Sequence, residues 1–430
     1  MSASGPVVVV GGGQAACTVA AALREGGCRA PVTLVAGEGV LPYQRPPLSK
    51  DFLGGSGGGF EDVVLRTRSF YDEQGIDVIA GDPAVAVDRA GRGVVLGSGR
   101  RLPYERLVLA LGARPRTLDV PGAGLDGVLT LRTVADAREV RRRLEPCRRL
   151  VVVGAGFIGL EVAAAAAKRG VPAMVVETQP RAMARALSET SAAHLVAEHR
   201  AHDTQFRFGR RVTGFLGDLR GRVRGVALDD GVVLPADLVV VGVGVRPHTA
   251  LAEDAGLVTD DGIVVDAYLR TSDPAISAVG DCARHPSAPD GGTERLESVR
   301  PESVRLESVR LESVQNATDT ARAVAADICG NPVPYRAVPR FWTTQHTASV
   351  QIAGLTAGYE ETVVTGALAA GRFSVLCFGG GRLLGVESVN RPADHMAARR
   401  LLATDAGLTA REASAEGFDL MARSRTAAMV

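Results

Sequence analysis

Short runs of consecutive apolar residues recur along the chain: Val7-Val8-Val9-Val10, Leu107-Val108-Leu109-Ala110, Leu150-Val151-Val152-Val153 and Leu238-Val239-Val240-Val241. Unbroken aliphatic runs of this length predict strands buried on both faces, as in a parallel sheet covered by helices. Two of them lead directly into glycines and then into Ala-rich stretches, Gly11-Gly12-Gly13-Gln14-Ala15-Ala16 and Gly154-Ala155-Gly156-Phe157-Ile158-Gly159. Each reads as a strand, a tight turn and a helix, continued by a second strand at 32–35 and 173–176. Strand-like segments also fall at 76–79, 85–87 and 93–96, and a helix is predicted over 135–144. After residue 331 the pattern changes to a proline-rich entry, strands at 349–352, 361–368, 373–378 and 383–389, and a helix near 393–402, which predicts a C-terminal α+β domain.

The glycine spacing carries chemistry. A strand that turns sharply into a helix presents backbone N–H groups at the positive helix end, and glycines let that backbone approach a pyrophosphate. One copy is weak evidence, but two in the same context predict two dinucleotides on one polypeptide. An acidic residue at the end of the second strand then accepts the adenosine ribose hydroxyls. Glu177 stands there in the second unit and would repel a 2′-phosphate, so NADH is expected over NADPH. Arg181 and Arg185 are the residues able to reverse that preference; the other reading places them on the surface. In the first unit Gly37 occupies the usual position and Glu38 is the nearest carboxylate. The run Ile276-Ser277-Ala278-Val279-Gly280-Asp281 ends on a carboxylate suited to a sugar or ribitol hydroxyl.

With 46% hydrophobic and 23% charged residues, a net charge of +1 gives no global attraction to nucleic acid or an anionic membrane. Strand residues begin near position 7 and no apolar run approaches the ~18 residues of a membrane span, so a cytoplasmic protein is expected. Six cysteines include no C-x-x-C pair and no metal-ligand spacing, so neither disulfide chemistry nor a metal is expected. Lys50 and Lys168 are the only lysines among 49 basic residues. Lys168 reads as a surface residue. Lys50 closes the run Arg45-Pro46-Pro47-Leu48-Ser49-Lys50, where a compact ammonium facing a cofactor is one reading and surface chance the other. A glycine-rich stretch at 54–59 reads as a mobile loop.

Residues 295–314 repeat a pentapeptide, ending Arg310-Leu311-Glu312-Ser313-Val314. A five-residue step turns a helix by roughly 140°, so the valines form no stripe and a packed repeat is not expected. The excess copies are expected to loop out or extend a helix, with Glu312 to Val314 keeping the original place ahead of a helix running to Ile328.

Together these motifs resemble the FAD-dependent NADH:ferredoxin reductases of the putidaredoxin reductase and rubredoxin reductase family, over essentially the whole chain. The match includes both fingerprints in order, 45–50, Gly280-Asp281, one Leu-Glu-Ser-Val-Gln-Asn-Ala segment, Phe341-Trp342 and Val389-Asn390-Arg391-Pro392. The resemblance implies an α/β protein with two Rossmann-like dinucleotide-binding domains, in the glutathione-reductase-like arrangement, plus the C-terminal α+β domain. FAD would be held by 1–114 with 245–328 and NAD by 115–244, while 329–430 would cover the flavin and help dock the partner. Gly11, Gly13, Ala15, Ala16, Glu38, Arg45, Lys50, Ala84, Ala110, Gly112, Arg132, Gly280, Asp281, Val314 and Trp342 would contact FAD. Gly154, Gly156, Ile158, Gly159, Glu177 and Gly244 would contact NAD. Lys50 would lie near flavin N5 and pair with Glu161, and these two are the candidate catalytic residues. Val314 would offer its N–H to the flavin O2 side, where a helix N-terminus stabilises the charge of reduced flavin.

The implied activity passes a hydride from NADH to FAD and then single electrons to a [2Fe–2S] ferredoxin serving a cytochrome P450 or Rieske-type oxygenase, in a monomer or weak dimer. Arg336, Arg340, Arg391, Arg399 and Arg400 are candidates for a basic patch facing an acidic ferredoxin. Departures from the family are Gly37, Leu111, Arg340, Thr344 and the repeat. The alternatives are a reductase of small acceptors, such as a monodehydroascorbate-like reductase or NADH oxidase, a disulfide reductase or peroxidase, and a flavoprotein sensor without turnover. The absence of cysteine from 38–50 weighs against the disulfide enzyme.

Overall fold

In the computed structural model, residues 3–55, 59–287, 308–404 and 407–427 are described. They form two units: residues 1–44, 60–114 and 245–337, and residues 45–59, 115–244 and 338–430.

The first unit is organised by a parallel five-stranded sheet in the spatial order Ile276–Ala278, Arg106–Leu109, Val7–Val10, Val32–Ala36, Ile76–Ala80. Val7–Val10 sits at its centre, paired with Val32–Ala36 on one side and Arg106–Leu109 on the other. All four valines are buried, which is why this strand reads as a continuous apolar run. The helix Gln14–Glu25 packs against the long helix Val314–Ile328. Asp327, near the end of that helix, pairs with Arg106 at 2.6 Å and with Arg270. Burial opposes ionisation of Asp327, but hydrogen bonds from the two guanidiniums outweigh it and hold the carboxyl below its usual range. A three-stranded antiparallel sheet, Ala84–Asp88, Gly93–Leu96 and Arg101–Pro103, also belongs to this unit.

The second unit repeats the plan. Its parallel sheet runs Gln205–Phe208, Ala173–Glu177, Leu150–Val153, Leu238–Val241, Val128–Leu129, again with the fingerprint strand in the middle. Val212–Gly217, Val223–Leu228 and Val233–Pro235 form a small antiparallel sheet. The C-terminal part is a five-stranded antiparallel sheet in the order Arg340–Gln345, Ala348–Gly354, Arg382–Val389, Arg372–Gly379, Glu361–Ala367. The helices Pro392–Thr404 and Leu420–Ala427 supply Ala397, Ala398, Leu401 and Leu420 to its core.

Several expectations differ from what is observed. The repeat does not extend the helix over 308–313: Ser308–Val309 is a short strand beside Ala283–Pro286, and the helix starts at Val314 because Ser313 caps it through the Asn316 amide. Copies at 295–307 lie outside the described residues, as does 56–58 of the glycine-rich stretch, whose Gly54 instead ends the short helix Asp51–Gly54. The helix Glu189–Ala201, the strand Arg340–Gln345 and the strands between 205 and 235 were not foreseen.

Within the second unit the fully buried Glu387 accepts hydrogen bonds of 2.6 Å from both the backbone N–H and the hydroxyl of Ser188, the N-cap of Glu189–Ala201. Burial raises its carboxyl above the ordinary value of 4.5, although the Ser188 donors oppose the shift. A carboxyl with a raised native pKa binds its proton more tightly when folded. Its contribution therefore favours folding at low pH and is lost as pH rises above the ordinary value. Glu387→Gln, which cannot ionise, is expected to gain on the wild type by roughly 2–4 °C in Tm between about pH 4 and 8, the shift that about 1 kcal/mol produces in a domain of this size. Thermal unfolding across that range checks it, and a difference independent of pH would refute it.

Candidate dinucleotide sites and a buried ion pair

Each parallel sheet ends its central strand in a sharp turn. Gly11 has φ +148°, and a Cβ there would stand 2.2 Å from the Ala110 carbonyl oxygen; Gly154 has φ +103°, with the Gly242 oxygen 2.4 Å from such a Cβ. Only glycine fits either place. Gly13 and Gly156 are different in kind. Each is the N-cap of its helix in extended backbone, contributes no side-chain cap, and a Cβ added to it would meet nothing within 4 Å. The space beside both caps is open, and the first N–H groups of both helices lack a side-chain acceptor at the cap. A pyrophosphate fits such a cradle, and the residues present suit a dinucleotide at each site. Ala15 and Ala16 are buried in the first turn of Gln14–Glu25. Gly159 sits where a Cβ would lie 2.0 Å from the Gly154 oxygen, so helix and turn pack in close contact, whereas Ile158 is 37% exposed.

Glu177 closes its strand with the carboxylate turned toward the glycine turn, accepting 2.7 Å from the Ala155 amide and 2.8 Å from that of Gln179. This is the position from which a carboxylate meets ribose hydroxyls. Arg181 is occupied locally, donating to the Leu187 and Ala184 carbonyls at 2.7 and 3.1 Å. Gly244, at φ +98°, accepts from the Arg116 amide.

In the first unit Glu38 lies just past Val32–Ala36 and accepts from the Tyr43 hydroxyl. Ala84 opens its strand, Ala110 and Gly112 follow Arg106–Leu109, and Gly280 with Asp281 forms a 3-10 turn after Ile276–Ala278. The last repeat copy is bound into this unit. The Arg310 guanidinium, 8% exposed, pairs with Glu312 at 2.6 Å and Asp261 at 3.4 Å and donates to the Asp281 carbonyl. Val314 is the first residue of its helix.

The second unit contains Arg45, Lys50, Arg132, Glu161 and Trp342. Lys50 Nζ is 2.7 Å from Glu161 Oε1. Glu161 is 3% exposed and receives two further donors, the Thr343 hydroxyl at 2.7 Å and the Ser49 hydroxyl. Three donors compensate a carboxylate removed from water. Sequence reasoning missed Ser49 and Thr343; the signal was a hydroxyl beside Lys50 and one beside Trp342. Arg45 donates 2.9 Å to the Arg132 carbonyl, and the Arg132 amide donates to Asp136. Trp342 is 43% exposed on Arg340–Gln345. Arg391 is committed to Asp394 at 2.8 Å. Arg340 and Arg399 both act on His395, whose pKa is pushed down to about 4, by burial first and then by these charges.

Among the described residues no cluster of His, Cys, Asp or Glu could hold a metal, and no helix is long and apolar enough to cross a membrane. All six cysteines are unbridged.

Residues 5–321 match the family model described as pyridine nucleotide-disulphide oxidoreductase, and residues 340–423 match the one described as reductase C-terminal. The chain is 46% identical to the rhodocoxin reductase of Rhodococcus erythropolis over 96% of its own length and 93% of that protein's. It superimposes on the ferredoxin reductase for the CYP199A2 system of Rhodopseudomonas palustris with a TM-score of 0.91 and 43% identity, covering 97% of this chain and 99% of that one. A covalent putidaredoxin reductase–putidaredoxin complex gives a TM-score of 0.91 at 37% identity, with both chains fully covered.

Because Gly156 has φ −84° and open space beside it, Gly156→Val is expected to leave Tm within about 2 °C of the wild type, the shift of a surface change. The same change should weaken NADH binding at least tenfold, as read by titration of the holoprotein with NADH analogues. Unchanged affinity would remove this cradle from the NAD site.

Proposed function

The chain belongs to the pyridine nucleotide-disulphide oxidoreductase family, among its FAD-dependent NADH:ferredoxin reductases, and from that premise we propose that it passes electrons from NADH through FAD to a [2Fe–2S] ferredoxin that serves a cytochrome P450 or Rieske oxygenase in the cytoplasm. The observation that carries this reading is the pair of open, uncapped helix N-termini, each at the centre of its own parallel sheet on one polypeptide. A single cradle suits any nucleotide-binding protein. Two on one chain suit an enzyme that brings a nicotinamide to a flavin. When bound, FAD accepts a hydride equivalent from NADH and releases electrons one at a time, so it joins two-electron and one-electron carriers.

In this reading the first cradle, with Gly11, Gly13, Ala15 and Ala16, binds the FAD pyrophosphate. Glu38, Ala84, Asp281 and the Val314 amide serve its ribose, adenine, ribitol and pyrimidine side respectively. The second cradle, with Gly154, Gly156 and Gly159, binds NADH. Glu177 selects NADH because a 2′-phosphate would meet its carboxylate and find Arg181 already bonded to backbone carbonyls. Lys50, kept in place by Glu161, supplies positive charge toward flavin N5 without forming a covalent bond. Ferredoxin reductases among the relatives, and a reductase solved in covalent complex with putidaredoxin, support a protein electron acceptor over a small molecule. Arg340 and Arg399, gathered at His395, supply basic charge on the C-terminal part for an acidic partner.

NADH-driven cytochrome c reduction is expected to rise at least tenfold on adding a [2Fe–2S] ferredoxin, to be much faster with NADH than with NADPH, and to fall as salt rises from about 50 to 500 mM through screening. Turnover indifferent to every ferredoxin tried would favour a small acceptor. Lys50→Met is expected to slow flavin reduction by NADH about tenfold or more in anaerobic stopped-flow absorbance, the loss associated with one charge-assisted contact. An unchanged rate would remove Lys50 from the reaction.

A further inference from the structure

The Lys50–Glu161 pair is not isolated. A line of buried polar side chains leads away from it within the second unit, and each link is within hydrogen-bonding distance. Thr343 Oγ1 is 2.7 Å from Glu161 Oε1, Gln345 Nε2 is 3.0 Å from Thr343 Oγ1, His199 Nε2 is 2.9 Å from Gln345 Oε1, and His346 Nε2 is 3.3 Å from His199 Nδ1. His199 and Gln345 are 0% exposed and Thr343 is 1% exposed, so bulk water does not reach any of them. The chain ends at half-buried His346, whose ring stacks at 3.9 Å on that of exposed His202.

The direction of every bond follows from its inner end. The carboxylate paired with Lys50 only accepts, so the Thr343 hydroxyl must donate to it. The Thr343 oxygen then accepts, which turns the Gln345 amide N–H₂ toward Thr343 and its carbonyl toward His199. That carbonyl requires a proton on His199 Nε2, and the neutral ring is left with an acceptor at Nδ1 for the His346 Nε2–H. Burial pushes the His199 pKa down, opposed by the Gln345 bond. Burial and the neighbouring His199 and His202 push that of His346 down to about 4. Both rings are therefore neutral near pH 7, as this order of donors requires. The charged and titratable groups facing them are His202, Glu198 and Lys168.

We propose that Thr343, Gln345 and His199 are positioning residues for Glu161 and Lys50, joined in a one-directional hydrogen-bond chain that runs from His346 to the carboxylate and holds it in place beneath the ammonium. An amide at the centre of the chain makes it a device for orientation and polarisation; protons do not travel along it. Successive donors pointing the same way reinforce one another in a dry interior. The importance assigned to the chain rests on the reading that Lys50 acts at the flavin, whereas its existence does not.

The holoprotein tests both parts. Thr343→Val keeps the shape and removes the donor to Glu161. Gln345→Met keeps the length and cuts the chain one link further out. Thr343→Val is expected to lower the limiting rate of flavin reduction by NADH about 10- to 30-fold, the loss of one hydrogen bond to a charged group, with NADH affinity unchanged. Thr343→Ser restores the wild-type rate within about twofold. Gln345→Met costs about 3- to 10-fold, and the double variant is no slower than Thr343→Val alone, because Gln345 acts only through Thr343.

In ¹⁵N NMR of histidine-labelled holoprotein, His199 should be a neutral Nε2–H tautomer that loses this preference in Gln345→Met. Rate losses that multiply in the double variant, or a His199 signal unmoved by Gln345→Met, would overturn the chain. If the tautomer shifts as expected but Lys50→Met leaves flavin reduction untouched, the chain stands and the role of Lys50 fails. Should Thr343→Val fail to fold, Thr343→Ser and the His199 spectrum still decide the matter.

Discussion

A polyanion can be held by backbone alone only if nothing projects between the peptide N–H groups and the phosphates. That constraint governs the plan of both units. It calls for a helix N-terminus without a side-chain cap, so Gly13 and Gly156 stand where most helices place Ser, Thr or Asp. It calls for a turn too tight for any Cβ, so Gly11 and Gly154 take a positive φ against a carbonyl oxygen. Such a turn needs a rigid support, which is the central strand of a parallel sheet, buried on both faces between neighbours it pairs with in register. The aliphatic runs and the glycines are thus two consequences of one requirement.

Burial of Glu161 imposes a second requirement. A carboxylate taken out of water costs more than one ammonium returns unless its remaining lone pairs are also satisfied. The donors Ser49 and Thr343 supply that satisfaction from segments far apart in sequence, and each brings its own need. Thr343 must receive a hydrogen bond in turn, which accounts for Gln345, and the Gln345 carbonyl accounts for His199. A buried polar group thereby recruits a line of polar groups until one reaches solvent at His346. The cost is uneven: every interior link must be made, whereas the outermost is free to vary with less effect.

The legible parts of the sequence were those where one physical cause leaves a repeated mark. Val7–Val10 and Leu150–Val153 announce themselves because both faces are apolar, and the glycine turns because no other residue fits. The helix Glu189–Ala201 escaped because its buried face includes Ser191 and His199, which leaves Ala192, Leu195 and Val196 as a single apolar turn. Ser308–Val309 escaped because its residues belong to a repeat with no structural period of its own, while two residues suffice to pair with His285 and Pro286. The Lys50–Glu161 pair was reachable only through family resemblance, since 111 positions separate its members. Its hydroxyl donors left only a faint mark, a hydroxyl beside Lys50 and another beside Trp342, because a lone Ser or Thr carries no pattern.

The cysteines decide how electrons leave. A thiol takes part in redox exchange as the thiolate, which demands access and a lowered pKa. Here five of the six thiols move the other way. Burial pushes Cys147 and Cys282 up to about 11, and Cys17, Cys329 and Cys377 are raised for the same reason. Five of the six are buried, and all are unbridged. A chain that shares its family name with disulphide enzymes therefore retains their two nucleotide cradles but offers no thiol suited to the second half of that chemistry. Reducing equivalents delivered to a flavin in such a protein have to leave through an external acceptor. Beyond residue 338 the positive charges of Arg340 and Arg399 act on His395, within a stretch whose nine arginines are nearly balanced by eight carboxylates.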